Sequence, residues 1–169
     1  MLEPEPEDPR AIPLRHPTVA DAPYVAALAG RCPPLERNSG YAYVLMCSHF
    51  AESSVIAKHH GETIGFAFGY LVPSRPDTLF IWQIGVDPSF RGKGAGVLML
   101  RSLIAREALA NVRYVEATVG PSNGASLALF QRFAEQTKSA IAIKSGFTSD
   151  LFDTPGHEAE DLVRIGPLH

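Results

Sequence analysis

Glycines and basic residues lie close together in the segment Arg91-Gly92-Lys93-Gly94-Ala95-Gly96. A hydrophobic run, Thr78–Val86, comes shortly before this segment, and a helical pattern begins at Val97. Glycines let backbone N–H groups approach an anion closely, because no side chain stands in the way. The free N–H groups at the start of a helix then point at that anion, and Arg91 and Lys93 add positive charge. The segment therefore predicts a pyrophosphate-binding loop.

Two common phosphate-binding motifs do not fit this segment. A P-loop requires Ser or Thr after Gly-Lys, but Gly94 follows Lys93. A dinucleotide fingerprint requires the spacing G-x-G-x-x-G, which these glycines lack. The pattern that fits is Arg-x-x-Gly-x-Gly, at Arg91, Gly94 and Gly96, and it resembles the GNAT acyl-CoA N-acyltransferases, where it wraps the pyrophosphate of coenzyme A. The alternative is a glycine-rich turn with two solvated bases.

The composition fits a single globular enzyme domain. Hydrophobic residues make up 46% of the chain and charged residues 20%, which is ordinary for a soluble protein. The net charge of −3 gives no field that would gather nucleic acid, and no apolar stretch is long enough to cross a membrane. Cys32 and Cys47 lack C-x-x-C spacing, so we expect no metal site and a reduced, cytoplasmic chain.

The first eleven residues differ in composition from the rest. The segment MLEPEPEDPR contains acids and prolines without an apolar run. It is neither a secretory signal nor a transit peptide. We expect residues 1–11 to form a disordered acidic tail, followed by one domain over residues 12–169.

Periodicity and turn signals predict an α/β fold in the order β-α-α-β-β-β-α-β-α-β-β. This order favours a mixed, mostly antiparallel sheet with helices on both faces, and it is also the order of the GNAT fold. The predicted strands are Ile12–Arg15, Ser54–His59, Thr63–Val72, Leu79–Val86, Tyr114–Val119, Ala140–Lys144 and Leu162–Ile165, and the predicted helices are Ala22–Arg31, Ser39–Phe50, Gly94–Ala110 and a last one from Asn123 to about Gln136. Residues Pro73–Asp77 are predicted to be a polar loop.

Several further segments narrow the resemblance. They are Asn38-Ser39-Gly40-Tyr41-Ala42-Tyr43, Gly65–Tyr70, Asp77–Gln83, Pro121-Ser122-Asn123 and Gly156-His157-Glu158. Together they resemble the diaminobutyrate acetyltransferases of ectoine synthesis, over roughly residues 12–169. The resemblance implies transfer of the acetyl group of acetyl-CoA to the side-chain N4 amine of L-2,4-diaminobutyrate by direct attack in a ternary complex. It also implies a role in osmotic stress and a homodimer.

On the donor side, the resemblance implies that the fourth and fifth strands splay apart around pantetheine. A backbone N–H near Ile84, Gly85 or Val86 is the expected oxyanion donor. Gly85 either permits a bulge there or is a tight packing position. Asn123 opens the next helix, as an Asn commonly does in GNAT proteins. Phe130 occupies the position where many of them carry a Tyr near the CoA sulfur, so it is expected to contact the cofactor but has no proton to donate.

On the acceptor side, the substrate brings two ammonium groups and one carboxylate. Glu36, Asn38 and Tyr41 are predicted on the loop between the first two helices, and His157 and Glu158 on a late loop. The resemblance favours Glu36 and Glu158 as acids that bind or deprotonate an amine, although each is also compatible with a solvated loop charge.

Trp82 either packs in the core or walls the acceptor pocket, where it contacts an ammonium. Arg75 is expected in the loop before that strand, as a surface residue or as a ligand of the carboxylate.

Two other functions fit the same residues. One is a GNAT enzyme acting on a different amine, such as a polyamine, an aminoglycoside or a protein N-terminus. The other is a non-catalytic acyl-CoA-binding module, which Phe130 favours because it lacks the usual acid. Turnover on a panel of amines distinguishes the three.

Overall fold

The computed structural model describes residues 11–169, so the expected acidic tail lies almost entirely outside the described part. The elements follow the predicted order. Their bounds are β1 Leu14–Arg15, α1 Ala22–Gly30, α2 Gly40–His49, β2 Val55–His59, β3 Glu62–Val72, β4 Arg75–Val86, α3 Ala95–Ile104, β5 Tyr114–Val119, α4 Gly124–Gln136, β6 Ile141–Phe147 and β7 Glu160–Ile165. None of the described helices is long and apolar enough to cross a membrane.

The strands form one sheet in the order β1-β2-β3-β4-β5-β7-β6. Every neighbouring pair is antiparallel except β4 and β5, which run parallel. These two strands pair only between Thr78–Phe80 and Tyr114–Glu116. Because β4 continues to Val86 and β5 to Val119, the two strands separate toward their carboxyl ends. The predicted mixed sheet and the splay between its fourth and fifth strands are therefore present.

Each face of the sheet carries its own hydrophobic core. Successive side chains of a strand point to opposite faces, so Val55 and Ala57 pack on one side and Ile56 on the other. Helices α3 and α4 cover the first side, and α1 and α2 cover the second. The prediction of helices on both faces is confirmed.

Three predicted bounds differ from the structure by more than two residues. The loop Pro73–Asp77 is mostly strand, because a two-residue turn lets Arg75 pair directly with Val72. Helix α3 ends at Ile104 rather than Ala110. Beyond it, Arg106 has an extended backbone, and its Nη1 donates to the carbonyl oxygens of Glu52 at 2.8 Å and Ser54 at 2.7 Å. This anchorage draws the chain away from the helix axis. Strand β6 extends past the predicted end at residue 144.

Candidate active site

A cavity of about 270 Å³ lies at the splay between β4 and β5. Its walls come from the end of β4, the glycine-rich loop, the first turn of α3 and one face of α4. Among the lining residues are Ile84, Gly85, Val86, Arg91, Gly92, Gly94, Ala95, Gly96, Asn123, Ser126, Leu129 and Arg132. None of the described residues lining it is acidic, and Arg91 and Arg132 are basic. This charge distribution suits a ligand with several phosphates.

The glycine-rich loop has the backbone geometry that anion binding requires. Gly92 and Gly94 both have a φ of +79°, in the left-handed region that favours glycine. Gly94 is the N-cap of α3, so the free N–H groups of the first turn open onto the cavity. Gly96 lies against Leu129 of α4, where a side chain would overlap Leu129. The loop therefore fits the pyrophosphate of coenzyme A, and α3 and α4 form the two walls around it.

Asn123 starts α4 as the sequence predicts. Its side chain accepts a hydrogen bond from the backbone N–H of Ser126 at 3.2 Å, the contact of an N-cap. From this cap, positions 125, 128, 129 and 132 follow helical spacing and line the cavity. Sequence reasoning missed these positions. The missed signal is the stripe of two alanines, one leucine and one arginine at i, i+3, i+4 and i+7.

A second and larger cavity, of about 990 Å³, adjoins the first. Pro34, Leu35 and Asn123 line both cavities, so the two spaces meet at these residues. Two ligands that enter from opposite sides can therefore bring their reacting groups together at this junction. We call the first space the donor cavity and the second the acceptor cavity.

A buried glutamine fixes one wall of the acceptor cavity. Gln83 of β4 accepts from the hydroxyl of Tyr43 at 3.0 Å and donates to the carbonyl oxygen of Glu36 at 2.7 Å. The Tyr43 hydroxyl in turn accepts from the backbone N–H of Asn38 at 3.1 Å. These bonds hold the loop between α1 and α2 against the sheet, and Glu36 and Asn38 consequently line the acceptor cavity. Sequence reasoning found both loop residues but not the glutamine.

The bulge in β4 falls at Trp82 rather than at Gly85. Phe68 pairs with Gln83 and Gly69 with Ile81, which leaves Trp82 as the extra residue. Trp82 is half-buried and lines the acceptor cavity, with its ring 6.0 Å from that of Tyr43. Gly85 is instead the tight packing position, because a Cβ there would come within 2.8 Å of the Phe66 ring.

Glu158 lies beside the junction of the two cavities. Its Oε2 accepts hydrogen bonds from the backbone N–H of Ser122 at 3.2 Å and from the Ser122 hydroxyl at 2.8 Å. Ser122 directly precedes Asn123, the residue that lines both cavities. A Cβ on Gly120 would lie only 2.8 Å from the same carboxylate oxygen. The carboxylate therefore occupies a space that exists because residue 120 is glycine.

His157 links the two acceptor-side loops. Its Nδ1 donates to the carbonyl oxygen of Glu158 at 2.7 Å, and its ring stacks on Phe152 with centroids 3.8 Å apart. Its Nε2 lies 3.5 Å from a carboxylate oxygen of Glu36 and 3.9 Å from one of Glu160. The predicted residues Glu36, His157 and Glu158 are thus brought to one end of the acceptor cavity.

The opposite end contains an ion cluster of Arg75, which the sequence suggested as a candidate carboxylate ligand, and two partners that sequence reasoning missed. Glu116 of β5 is only 2% exposed, and it accepts from Arg75 Nη1 at 2.7 Å and Nη2 at 2.9 Å. Arg164 of β7 donates to the same carboxylate. Burial raises the pKa of Glu116, but the hydrogen bonds from both arginines outweigh it, so the pKa is lowered. The available signal in the sequence was a glutamate within the predicted strand Tyr114–Val119.

Three predicted site residues lie elsewhere. Tyr41 belongs to α2 rather than the loop, is 71% exposed and lines neither cavity. Lys93 lies over the Phe90 ring, 5.0 Å from its centroid, and is not part of the donor cavity wall. Phe130 packs in the core between the sheet and the helices at 2% exposure, because α4 turns that face inward. Within residues 11–169, no cluster of His, Cys, Asp and Glu could hold a metal ion.

The fold and the two joined cavities define the class of protein. The splayed strands, the glycine-rich loop before α3 and the Asn that begins α4 are the parts of an acyl-CoA N-acyltransferase. In agreement, the family model described as "Acetyltransferase (GNAT) family" matches residues 23–134, more than half of the chain.

Comparison with individual proteins narrows the class. The chain is 45% identical over 158 residues to the L-2,4-diaminobutyric acid acetyltransferase of Halalkalibacterium halodurans, covering 94% of this chain and 83% of that protein. It is 44% identical to the enzyme of the same name from Shouchella clausii, covering 92% and 86%. The solved structure of diaminobutyrate acetyltransferase EctA from Paenibacillus lautus, in complex with L-2,4-diaminobutyric acid and coenzyme A, is 36% identical, with a TM-score of 0.89 over 93% of this chain and 95% of that one. The chain belongs to the L-2,4-diaminobutyric acid acetyltransferase family.

Proposed function

We propose that the chain transfers the acetyl group of acetyl-CoA to the N4 amine of L-2,4-diaminobutyrate, giving N4-acetyl-2,4-diaminobutyrate. The observation that carries this proposal is the junction at Pro34, Leu35 and Asn123, where a phosphate-binding cavity meets an acid-rich one. Relatives over most of the chain are named L-2,4-diaminobutyric acid acetyltransferase, and the EctA structure contains L-2,4-diaminobutyric acid together with coenzyme A.

The donor cavity holds acetyl-CoA, which supplies an acetyl group activated as a thioester. The N–H groups at the start of α3 and the guanidinium of Arg91 bind the pyrophosphate. β4 pairs with β5 only as far as Phe80, so the backbone groups of β4 beyond it that point toward β5 are open to pantetheine. A backbone N–H among Ile84, Gly85 and Val86 stabilises the oxygen of the reacting carbonyl.

The acceptor cavity holds the diamine and takes its proton. At neutral pH the N4 amine is an ammonium, so it must lose one proton before it attacks and a second as the amide forms. Glu158 is the carboxylate beside the junction, and we assign it the role of base. Its second oxygen, Oε1, is not used in the bonds to Ser122. The leaving thiolate takes up one proton, and Phe130, buried and without a proton to give, does not supply it.

The cellular setting follows from the substrates. The family resemblance supports a role of the product in ectoine synthesis and so in osmotic stress. Acetyl-CoA as cosubstrate and two free, buried cysteines support a cytoplasmic location. Strand β6 forms one edge of the sheet and exposes Ile143 and Phe147 at 47% and 50%, which supports a homodimer. Sedimentation of the purified chain at two concentrations tests the dimer.

A thiol-release assay on a panel of amines tests the proposed activity. We expect turnover with acetyl-CoA and L-2,4-diaminobutyrate, and weaker turnover with ornithine, lysine, spermidine and a peptide. Preference for another amine would retain the GNAT mechanism and reject diaminobutyrate as the acceptor. Binding of acetyl-CoA without turnover on any amine would instead indicate a non-catalytic module.

A further inference from the structure

The ion cluster of Arg75, Glu116 and Arg164 forms part of the floor of the acceptor cavity. Arg75 and Glu116 line that cavity, whereas Arg164 stacks on Tyr114 with its guanidinium carbon 3.7 Å from the ring centroid. One carboxylate faces two guanidiniums, so the cluster has one net positive charge. The Arg75 side chain is 45% exposed, while that of Glu116 is 2% exposed. The exposed Arg75 side chain therefore presents N–H groups to a ligand, and the buried Glu116 carboxylate holds the Arg75 side chain in position.

The other end of the acceptor cavity is negative. Glu36, Glu158 and Glu160 lie there with a single imidazole, that of His157, between two of them. Among the described residues that line the cavity, Arg75 is the only one with a permanent positive charge. The cavity thus has a positive end and a negative end. A molecule with a carboxylate at one end and ammonium groups toward the other matches this arrangement.

We propose that Arg75 binds the α-carboxylate of the acceptor and that Glu116 is a positioning residue that holds Arg75 in place. The inference rests on the proposed function, since it names how that substrate is recognised. It also gives the cavity a selectivity, because the enzyme then prefers a diamino acid to a simple diamine of the same length.

The dimensions of the site agree with this orientation. Gly120, which is beside Glu158, follows Glu116 by four positions, along β5 and one residue past its end. Four steps of about 3.3 Å span about 13 Å. The carboxylate carbon and the N4 atom of the substrate are four bonds apart, about 5 Å when extended. A guanidinium–carboxylate contact adds about 4 Å and the approach of the amine to the reacting carbon about 3 Å. The sum, about 12 Å, places N4 near the junction when the carboxylate is at Arg75.

The test compares two amines that differ only in the carboxylate. 1,3-Diaminopropane is L-2,4-diaminobutyrate without its carboxyl group. For Arg75→Ala we expect kcat/KM with diaminobutyrate to fall about 10- to 100-fold, as for the loss of a charged hydrogen bond, while kcat/KM with diaminopropane stays nearly constant. The inhibition constant of diaminopropane, measured against diaminobutyrate turnover, makes the same comparison for binding and should also be nearly the same in the wild type and Arg75→Ala. The kcat/KM of Arg75→Lys with diaminobutyrate should lie between those of the wild type and Arg75→Ala. Lysine keeps the positive charge but loses the pair of hydrogen bonds that Nη1 and Nη2 donate to Glu116.

Arg164→Ala is the matched control, because Arg164 also pairs with Glu116 but does not line the cavity. Arg164→Ala should leave the ratio of kcat/KM for diaminobutyrate to kcat/KM for diaminopropane unchanged. The KM for acetyl-CoA should stay constant in all three variants if they are folded. The proposal would be overturned if Arg75→Ala lowered kcat/KM equally for both amines, or if Arg164→Ala changed the ratio of the two kcat/KM values as much as Arg75→Ala does. Failure of the wild type to acetylate diaminobutyrate would instead reject the proposed function.

Discussion

Gly120 provides the sharpest test of the role assigned to Glu158. A Cβ added at residue 120 would lie 2.8 Å from Glu158 Oε2, whereas the Cβ and carboxyl carbon of Glu158 are both at an ordinary 3.9 Å. In Gly120→Ala the carboxylate must therefore move by about 0.6 Å to reach the shortest ordinary contact distance of about 3.4 Å. It must also leave or stretch its bonds to Ser122. The backbone at residue 120 is not in the left-handed region, so the methyl group acts through this contact.

A shift of this size is expected to reduce the rate without unfolding the chain. Misplacement of a catalytic group by about 1 Å costs about 100-fold in rate, so we expect kcat for L-2,4-diaminobutyrate to fall about 10- to 100-fold. The KM for acetyl-CoA should change little, because Gly120 does not line the donor cavity. The assay is steady-state thiol release with each substrate varied in turn.

A second substitution distinguishes displacement of the Glu158 carboxylate from any other effect of the methyl group at residue 120. In a Glu158→Ala background the clashing carboxylate is gone, and the added methyl group meets only a Cβ at an ordinary distance. Gly120→Ala should then cause no further loss, so the double variant should match Glu158→Ala alone. Independent, additive losses would show that Gly120→Ala does not act through Glu158, and a Gly120→Ala enzyme as active as the wild type would show that the position of this carboxylate does not limit catalysis.

Three further substitutions probe other parts of the structure. Arg91→Ala should raise the KM for acetyl-CoA about tenfold, whereas Lys93→Ala, whose side chain lies over Phe90 and outside the cavity wall, should raise it little; equal effects would contradict the geometry. Gly96→Ala adds a methyl group against Leu129 and should lower the free energy of unfolding by about 1–3 kcal/mol, which thermal unfolding measures. Burial raises the pKa of Asp21, but hydrogen bonds from Arg15 and Thr18 outweigh it and lower the pKa from 3.8 to about 2. The ionised form therefore adds about 2 kcal/mol of stability above pH 4 that is lost as the pH falls toward 2. In urea unfolding, the free energy of unfolding of Asp21→Asn should lie below that of the wild type above pH 4, and this difference should shrink as the pH falls toward 2.

The donor side of the site was predictable from the sequence because its chemistry depends on backbone geometry. Glycines at 92 and 94 indicate left-handed backbone positions, and Asn123 indicates the start of a helix, because these local signals do not depend on tertiary packing. The sequence did not indicate that Lys93 and Phe130 lie outside the wall of the donor cavity, because spacing alone does not tell which way a side chain of the loop or of α4 points. Phe130 turned out to face the core, and Lys93 the ring of Phe90.

The acceptor side was predictable only in part. Glu36 and Glu158 come from loops far apart in the chain, and the family resemblance, rather than any local pattern, indicated them. Gln83 and Ser122 had no local signal of function, since their roles depend on partners 47 and 36 residues away. The bulge at Trp82 likewise depends on how β3 and β4 align across the sheet. Long-range packing decides such features, and no window of sequence contains it.

The position of the new amide bond is the most direct test of acetyl transfer to N4 of L-2,4-diaminobutyrate. Acetyl-CoA labelled with carbon-13 in its acetyl group would be incubated with L-2,4-diaminobutyrate and the full chain, and the product examined by proton–carbon NMR. We expect a single acetyl group, coupled through the amide to the Cγ protons, which identifies N4 as the acceptor. An acetyl group coupled to the Cα proton, or no transfer to diaminobutyrate at all, would contradict it.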